Sequence, residues 1–383
     1  MNALPLAIIR WVVLVFHVFF FALAGLYFFL FIFWQKGLKS FYGFRRKANT
    51  DLPPVSVLIP SYRDADKLPQ LLASFRLQKR FPLTWEIILV DDHNPEAERE
   101  KMRALVLNTP DLPIRMLSNR YAPGKKNALR SGVEAARFDN ILQTDADVRL
   151  GIHWMESLSA ALLEDGTQLA MGWVKMVPET SFWSRFAALE FLSLQATGLA
   201  MAANGKAIMG NGASMAYRKE IYWRYRSVGE SLASGDDVFL IQSIARQEPA
   251  AVRPIPKAVV ATAAPSTWAA FRKQRIRWGG KTQAYPSLSA KLLALFIGIF
   301  NASLALSPGL VILLPPLGLD LLLLWVLKGF LDYQLLGGFA DWSKQKERMQ
   351  DYPLVALLYP YYLCLIALGI LAKSSPEWRK AGL

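Results

Sequence analysis

Two carboxylates separated by one residue, Asp145 and Asp147, follow directly on a short apolar run, Asn140-Ile141-Leu142-Gln143-Thr144. Side chains alternate along a strand, so residues two apart share a face. Like charges held that close raise the cost of ionising both unless a cation lies beside them. Hard divalent ions take oxygen ligands of this kind and complete their shells with phosphate oxygens. At the carboxyl end of an α/β strand the pair is therefore a candidate Mg²⁺ or Mn²⁺ site holding a diphosphate. A solvated acidic turn that caps the following helix is the alternative for the pair alone. Further charges recur at comparable places: Asp91-Asp92, Lys125 and Gly235-Asp236-Asp237. Lys125 opens a helical stretch, where ammonium and helix N-terminus both favour an anion.

The elements that carry these residues read as strand, loop and helix in turn. After Pro53-Pro54, the run Val55-Ser56-Val57-Leu58-Ile59 is a buried strand and Pro60-Ser61-Tyr62-Arg63-Asp64 a loop. Leu68, Leu71, Leu72 and Phe75 recur at helical spacing. Glu86-Ile87-Ile88-Leu89-Val90 is a second strand, residues 96–107 a charged helix, Ile114-Arg115-Met116-Leu117 a third strand, and the fourth ends at Asp145. This rhythm predicts an α/β fold, a doubly wound and mostly parallel sheet with ligands off its carboxyl ends. Beyond it, residues 168–175 read as a strand and 182–201 as a long apolar helix with Arg185 and Glu190 embedded. Gly210-Asn211-Gly212 turns into a short strand, and residues 267–284, aromatic and basic together, form an amphipathic helix at a membrane surface with snorkelling Arg and Lys stems.

The 383 residues are 53% hydrophobic and carry a net charge of +14. That hydrophobic content puts part of the chain in lipid. Residues 11–34 are long enough to cross a bilayer and end Trp34-Gln35-Lys36, without the small residues of a cleavage site, which favours a retained anchor. Lys36, Lys39, Arg45, Arg46 and Lys47 follow the span against Arg10 before it, so the next domain is cytoplasmic. Residues 292–307 and 309–330 read as two spans broken near Ser307-Pro308, with Pro315-Pro316 as a kink or shifted boundary, and 354–372 as a last one. Parity puts the tail from Lys373 outside, whereas Lys373, Arg379 and Lys380 favour inside. The expected division is 1–49, anchor and basic linker; 50–287, cytoplasmic domain ending in the interfacial helix; and 288–383, membrane region of about three spans. Basic charge then serves anionic lipid, and no motif points to nucleic acid. Cys364, the only cysteine, excludes disulfides and Cys-based zinc; His17, His93 and His153 are too scattered for a metal site. The spans show no buried charge pattern of the kind that marks a transport path.

In their order along the chain these motifs form a pattern. Val57-Leu58-Ile59-Pro60-Ser61-Tyr62, Val90-Asp91-Asp92, Gly124-Lys125-Lys126-Asn127-Ala128-Leu129, Thr144-Asp145-Ala146-Asp147, and Gly235-Asp236-Asp237 with Gln274-Arg275-Ile276-Arg277-Trp278 resemble membrane-bound family 2 inverting glycosyltransferases, the group of cellulose, hyaluronan and chitin synthases. The resemblance implies a GT-A-type fold and transfer from a nucleotide-diphosphate sugar, usually a UDP-sugar, to a lipid or glycan acceptor hydroxyl. It implies Pro60, Ser61, Tyr62, Asp91, Asp92, Lys125, Asp145 and Arg277 on the donor, and Asp147 with Asp145 on the metal. Asp237, or its neighbour Asp236, would be the general base, with Gly212, Gln274 and Trp278 beside the acceptor. The setting implied is an integral membrane protein of a bacterial inner membrane. A processive polysaccharide synthase and a non-catalytic nucleotide-sugar-binding regulator are the alternatives.

Overall fold

The computed structural model describes residues 3–44, 51–82, 84–226 and 235–372. Arg45, Arg46 and Lys47, Ser234 and the tail from Lys373 lie outside the described residues. The chain opens on one helix, α1 (Ala3–Gly43), which extends the apolar run of residues 11–34 at both ends.

Every residue of β1 (Val55–Ser61) is buried. A central parallel strand is covered on both faces, which is why it reads as an unbroken apolar run. The chain then alternates α2 (Leu68–Arg76), β2 (Trp85–Asp91), α3 (Glu96–Leu107), β3 (Ile114–Ser118), α4 (Lys125–Ala135) and β4 (Asn140–Gln143). These strands are all parallel, so their carboxyl ends share one edge. Pro60 and Ser61, expected in a loop, are instead paired with Val90 and Asp91. β4 pairs with β1 only as far as Leu58, so the β4 side of β1 is free at Pro60, where the missing N–H is tolerated.

The remainder completes a mixed sheet in the order β3-β2-β1-β4-β7-β6-β8-β5. A turn at 144–147 carries the chain from β4 to β5 (Val148–Leu150) at the far edge; then come α5 (Trp154–Ala161) and β6 (Leu169–Val177). Asp145 and Asp147 therefore lie in a turn, not on one strand face as the spacing predicts. Next are α6 (Phe182–Ala203), β7 (Met215–Arg218), α7 (Lys219–Tyr225), α8 (Asp236–Gln247), β8 (Val252–Ala263) and α9 (Trp268–Gly279). β7 runs antiparallel to β4 and β6, and β5 antiparallel to β8; β6 and β8 are parallel.

α10 (Leu288–Leu313) continues through Pro308, and the chain breaks only at Pro315–Leu317, before α11 (Gly318–Trp342). The expected break at Ser307-Pro308 is thus displaced. Two consecutive prolines remove consecutive donors, whereas one leaves a single gap in the ladder. The last helix is α12 (Tyr352–Leu371). Among the described residues, four helical stretches are long and apolar enough to cross a membrane: 10–43, 182–203, 288–313 and 346–371. α6 is one of them, yet 72% of its apolar window is buried inside the protein; α11, with Asp320, Lys328 and Asp332, is not among them. The apolar helices do carry buried charge, against expectation. Lys328 meets Asp332 at 2.5 Å, Asp332 accepts from the Tyr27 hydroxyl of α1, and His17 of α1 meets Asp320 at 2.5 Å. Each charge has a partner, which is what makes it tolerable in such surroundings.

α1 is fastened to the catalytic half through α6. A Cβ at Gly37 would lie 2.1 Å from the Ala200 carbonyl oxygen, so the two helix backbones touch. Gly37→Leu is expected to destabilise the fold by about 1–3 kcal/mol, the usual cost of overpacking. Thermal unfolding in detergent checks this, with Gly25→Leu, where a side chain meets nothing within 4 Å, close to wild type.

Candidate active site

Lys125, the first residue of α4, reaches along the carboxyl edge of the sheet. Its Nζ donates to Asp145 Oδ1 at 2.6 Å and lies 4.0 Å from Asp236 Oδ2. Burial opposes its charge, but Asp145, Asp236 and Asp237 together raise its pKa above the ordinary lysine value. The preceding Gly124 gives its N–H to both oxygens of Asp92 at 2.9 and 3.0 Å, and Asn119 Nδ2 donates to Asp92 at 2.9 Å. Asp92 thus sets the start of α4 and, through it, the position of Lys125. Asp91 is 0% exposed; its oxygens accept from the backbone and side chain of Asn94 at 2.8 Å and from Arg99 Nε at 2.9 Å. It braces the turn after β2 and presents no surface to a ligand. Pro60 and Ser61 are buried in β1, while Tyr62 beyond them is half-buried, 5.4 Å from the Arg63 guanidinium.

Asp236 and Asp237 open α8. Asp237 Oδ2 accepts from the Gly212 N–H at 3.0 Å and Oδ1 from its neighbour Val238 at 2.8 Å. Asp236 Oδ2 accepts from Gln143 Nε2 at 3.3 Å, and that same amide donates to the Gly212 carbonyl at 3.1 Å. Burial, and then the charge of Asp236, raises the Asp237 pKa; Lys281, Lys125 and the Gly212 N–H pull it back. Gly212 is enclosed by this network. A Cβ there would come within 2.9 Å of Gln143 Nε2, 3.3 Å of Lys125 Nζ and 3.4 Å of Asp236 Oδ2.

α9 supplies the roof. Burial lowers the Arg277 pKa while Asp237, Asp145 and Asp236 support its charge, so Arg277 joins the carboxylates. Beside it Gln274 accepts from Arg275, and Trp278 packs on Phe191 of α6 at 5.8 Å with the Arg275 guanidinium 4.3 Å from its ring. Arg275, expected to snorkel, is 4% exposed and paired with Glu190 of α6 at 2.5 Å. A cation so buried is stable only when its partner is at hand, and Glu190 was visible in the apolar run of α6.

Two members of the cluster escaped the sequence. Lys281 is buried; desolvation lowers its pKa while Asp237 and Asp236 support its charge. Tyr285 is pushed up to about 12 by burial and by Asp237. Lys281 follows Arg277 by four positions, the spacing of neighbours on one helical face, and that was the available signal.

Asp147 is exposed at the mouth of the cleft, yet desolvation by the surrounding protein and the charge of Asp145 raise its pKa. Among the described residues no three His, Cys, Asp or Glu side chains converge as a ready-made metal cage. Two mutually repelling carboxylates beside open solvent nonetheless fit a Mg²⁺ or Mn²⁺ ion that takes its other oxygens from phosphates and water.

The family model described as "Glycosyltransferase like family 2" matches residues 53–281. The chain belongs to the family 2-like glycosyltransferases. Undecaprenyl-phosphate 4-deoxy-4-formamido-L-arabinose transferase of Aeromonas hydrophila is 31% identical to this glycosyltransferase over 102 residues, 26% of this chain and 31% of that protein. An N-acetylglucosaminyltransferase of Rhizobium meliloti is 24% identical over 259 residues, 63% of this chain and 58% of that protein. The glycosyltransferase thus spans less than two thirds of the length of either curated relative. Among solved structures, a mannosyltransferase from Pyrobaculum calidifontis in complex with GDP-Man and Mn²⁺ shares its fold with a TM-score of 0.57 at 18% identity, over 96% of this chain and 100% of that one.

Gly212→Ala is expected to displace the Gln143 amide, 2.9 Å from the added Cβ, and to crowd Lys125 at 3.3 Å. Small misplacement of catalytic groups lowers rate, and a loss of up to about tenfold is expected. Turnover of nucleotide sugar measures the loss, and an unchanged melting temperature shows that the fold survives.

Proposed function

We propose that this glycosyltransferase moves a sugar from a nucleoside-diphosphate sugar, UDP-linked, to a hydroxyl of a lipid or glycan acceptor at the cytoplasmic face of a membrane. The observation that carries the proposal is Lys125: one ammonium lies 2.6 Å from Asp145 and 4.0 Å from Asp236, so the metal-type carboxylates and the base-type carboxylates share one cleft. In this reading residues 1–49 are anchor and basic linker, 50–287 the cytoplasmic domain and 288–383 the membrane region. The names of the relatives, an undecaprenyl-phosphate transferase and an N-acetylglucosaminyltransferase, support sugar transfer, the first in a lipid-linked setting though on a phosphate rather than a hydroxyl.

Lys125 and Arg277 would hold the diphosphate, and Asp145 and Asp147 would hold a divalent ion, which when bound would neutralise charge on the departing nucleotide. Tyr62 and the turn around Asp92 border the nucleoside. Asp237 takes the proton from the acceptor hydroxyl as that oxygen attacks the anomeric carbon from the side opposite the diphosphate. The bond to the diphosphate oxygen breaks in the same displacement, and the configuration inverts. Asp237 is taken as the base in preference to Asp236 because burial, and then the charge of Asp236, raises its proton affinity. A carboxylate tuned in this way favours a hydroxyl acceptor, since a phosphate oxyanion has no proton to surrender.

Membranes incubated with a panel of labelled nucleotide sugars, with lipid and polymer products separated, test the reaction class. Asp237→Asn is expected to lose about 10²- to 10⁴-fold in kcat with donor binding retained. Full activity in this variant would falsify the assignment of the base. Chelation of divalent ions is expected to abolish transfer, and added Mn²⁺ or Mg²⁺ to restore it.

The pH profile supplies a separate check. Asp237 accepts a proton only when ionised, so activity rises with pH through its pKa, and that limb is displaced above the ordinary carboxylate value of 3.8. Lys281 lowers this pKa by charge. Lys281→Met is therefore expected to shift the acid limb of kcat/KM to higher pH, and a shift to lower pH would contradict the arrangement.

A further inference from the structure

The turn between α11 and α12 carries a cation without a counter-charge. Arg348 lies in a short 3-10 turn, Lys346–Asp351, that packs against α6, α11 and α12. It is only 7% exposed, its Nε has no hydrogen-bond partner, and among the described residues it forms no ion pair. Lys175 on β6 is half-buried and likewise forms no ion pair among the described residues; burial, and then the Arg348 charge, lowers its pKa. Glu347 acts on both from an exposed position and pairs with neither. A buried guanidinium with unsatisfied donors is costly, and a second cation beside it adds to that cost.

The surroundings indicate what relieves it. Trp173 is two positions before Lys175 on the same strand, hence on the same face, and packs 5.5 Å from Trp342 and 5.8 Å from Phe339. Phe41 and Tyr42, at the end of α1, lie 5.0 and 5.1 Å from Trp342. The aromatic group thus gathers where α1 and α11 end and α12 is about to begin, as Trp and Tyr do at the level of lipid headgroups. One turn before Arg348, Gln345 is fully buried and its Oε1 has no partner. The turn therefore keeps an unpaired Arg348 donor close to this aromatic group.

We propose that Arg348 and Lys175 bind the phosphodiester of an anionic lipid headgroup, such as that of phosphatidylglycerol. The inference rests on the membrane reading given above. A guanidinium matches two phosphate oxygens at once, and the ammonium adds a point charge. None of the charges acting on Arg348 or Lys175 belongs to the carboxylate cleft, so the site is separate from that of the donor.

The test uses the full chain in nanodiscs of phosphatidylcholine alone or with phosphatidylglycerol, reading the melting temperature and, by native mass spectrometry, the lipid retained. Wild type is expected to retain phosphatidylglycerol and melt higher in its presence. Arg348→Gln and Lys175→Gln are expected to lose most of that increment and bind the lipid about tenfold more weakly, while Arg76→Gln, an exposed arginine on α2, keeps it. If Arg348→Gln does not fold, Lys175→Gln carries the comparison. Undiminished retention in the variants overturns the site, as does an equal rise in melting temperature with inorganic phosphate alone. Recovery of the wild-type chain from the soluble fraction without detergent would instead defeat the membrane reading, and the site with it.

Discussion

Four carboxylates converge at the carboxyl edge of this sheet, and their mutual repulsion is the constraint that the rest of the cleft answers. The Lys125 ammonium lies within reach of two of them and under the influence of a third. Its position depends on the start of α4, fixed when the Gly124 N–H bonds to Asp92, and Asp92 is placed by the end of β2. Backbone hydrogen bonds in the sheet therefore transmit into the spacing of charges. Arg277 and Lys281 add positive charge from the opposite wall, so a cleft that looks acidic in sequence is close to balanced in space. Such balance suits a ligand that arrives as an anion together with a cation.

Much of this arrangement was readable beforehand. β1, β2 and β4 announced themselves as apolar runs, the last two leading into acids, because central strands are buried on both faces and ligands collect at their carboxyl ends. The far half of the sheet was harder. β5 is only Val148-Arg149-Leu150, too short to show a period, and β8 contains Pro254 and Pro256, which mask a strand. Lys281 and Tyr285 come together with Asp237 only where the segment after α9 packs on α8, with Tyr285 6.2 Å from Phe239, and the spacing from Arg277 alone does not display that. Trp278 is a contrasting case: next to Arg277 in sequence, it packs on Phe191 of α6 because a helix sends adjacent residues to different sides.

The helices outside the sheet follow a similar logic of paired charge. Lys328 with Asp332 and Tyr27, His17 with Asp320, and Glu190 with Arg275 each bind one apolar helix to another or to itself. A single polar residue in such a helix would be a liability, whereas a matched pair selects one packing among many that hydrophobic contact alone would allow. α6 shows how composition misleads in this setting. It is apolar enough to span a bilayer, but its neighbours are the sheet and α1, and the protein interior takes the place of lipid.

The contact between Gly37 and Ala200 also acts as a ruler. With the backbones of α1 and α6 touching, the sheet and its cleft have little room to shift along α1. In a bilayer, the mouth beside Asp147 would then stand at a set height above the headgroups. Acceptors would be sorted by how far their reactive oxygen protrudes from the membrane, before any side chain has read their chemistry.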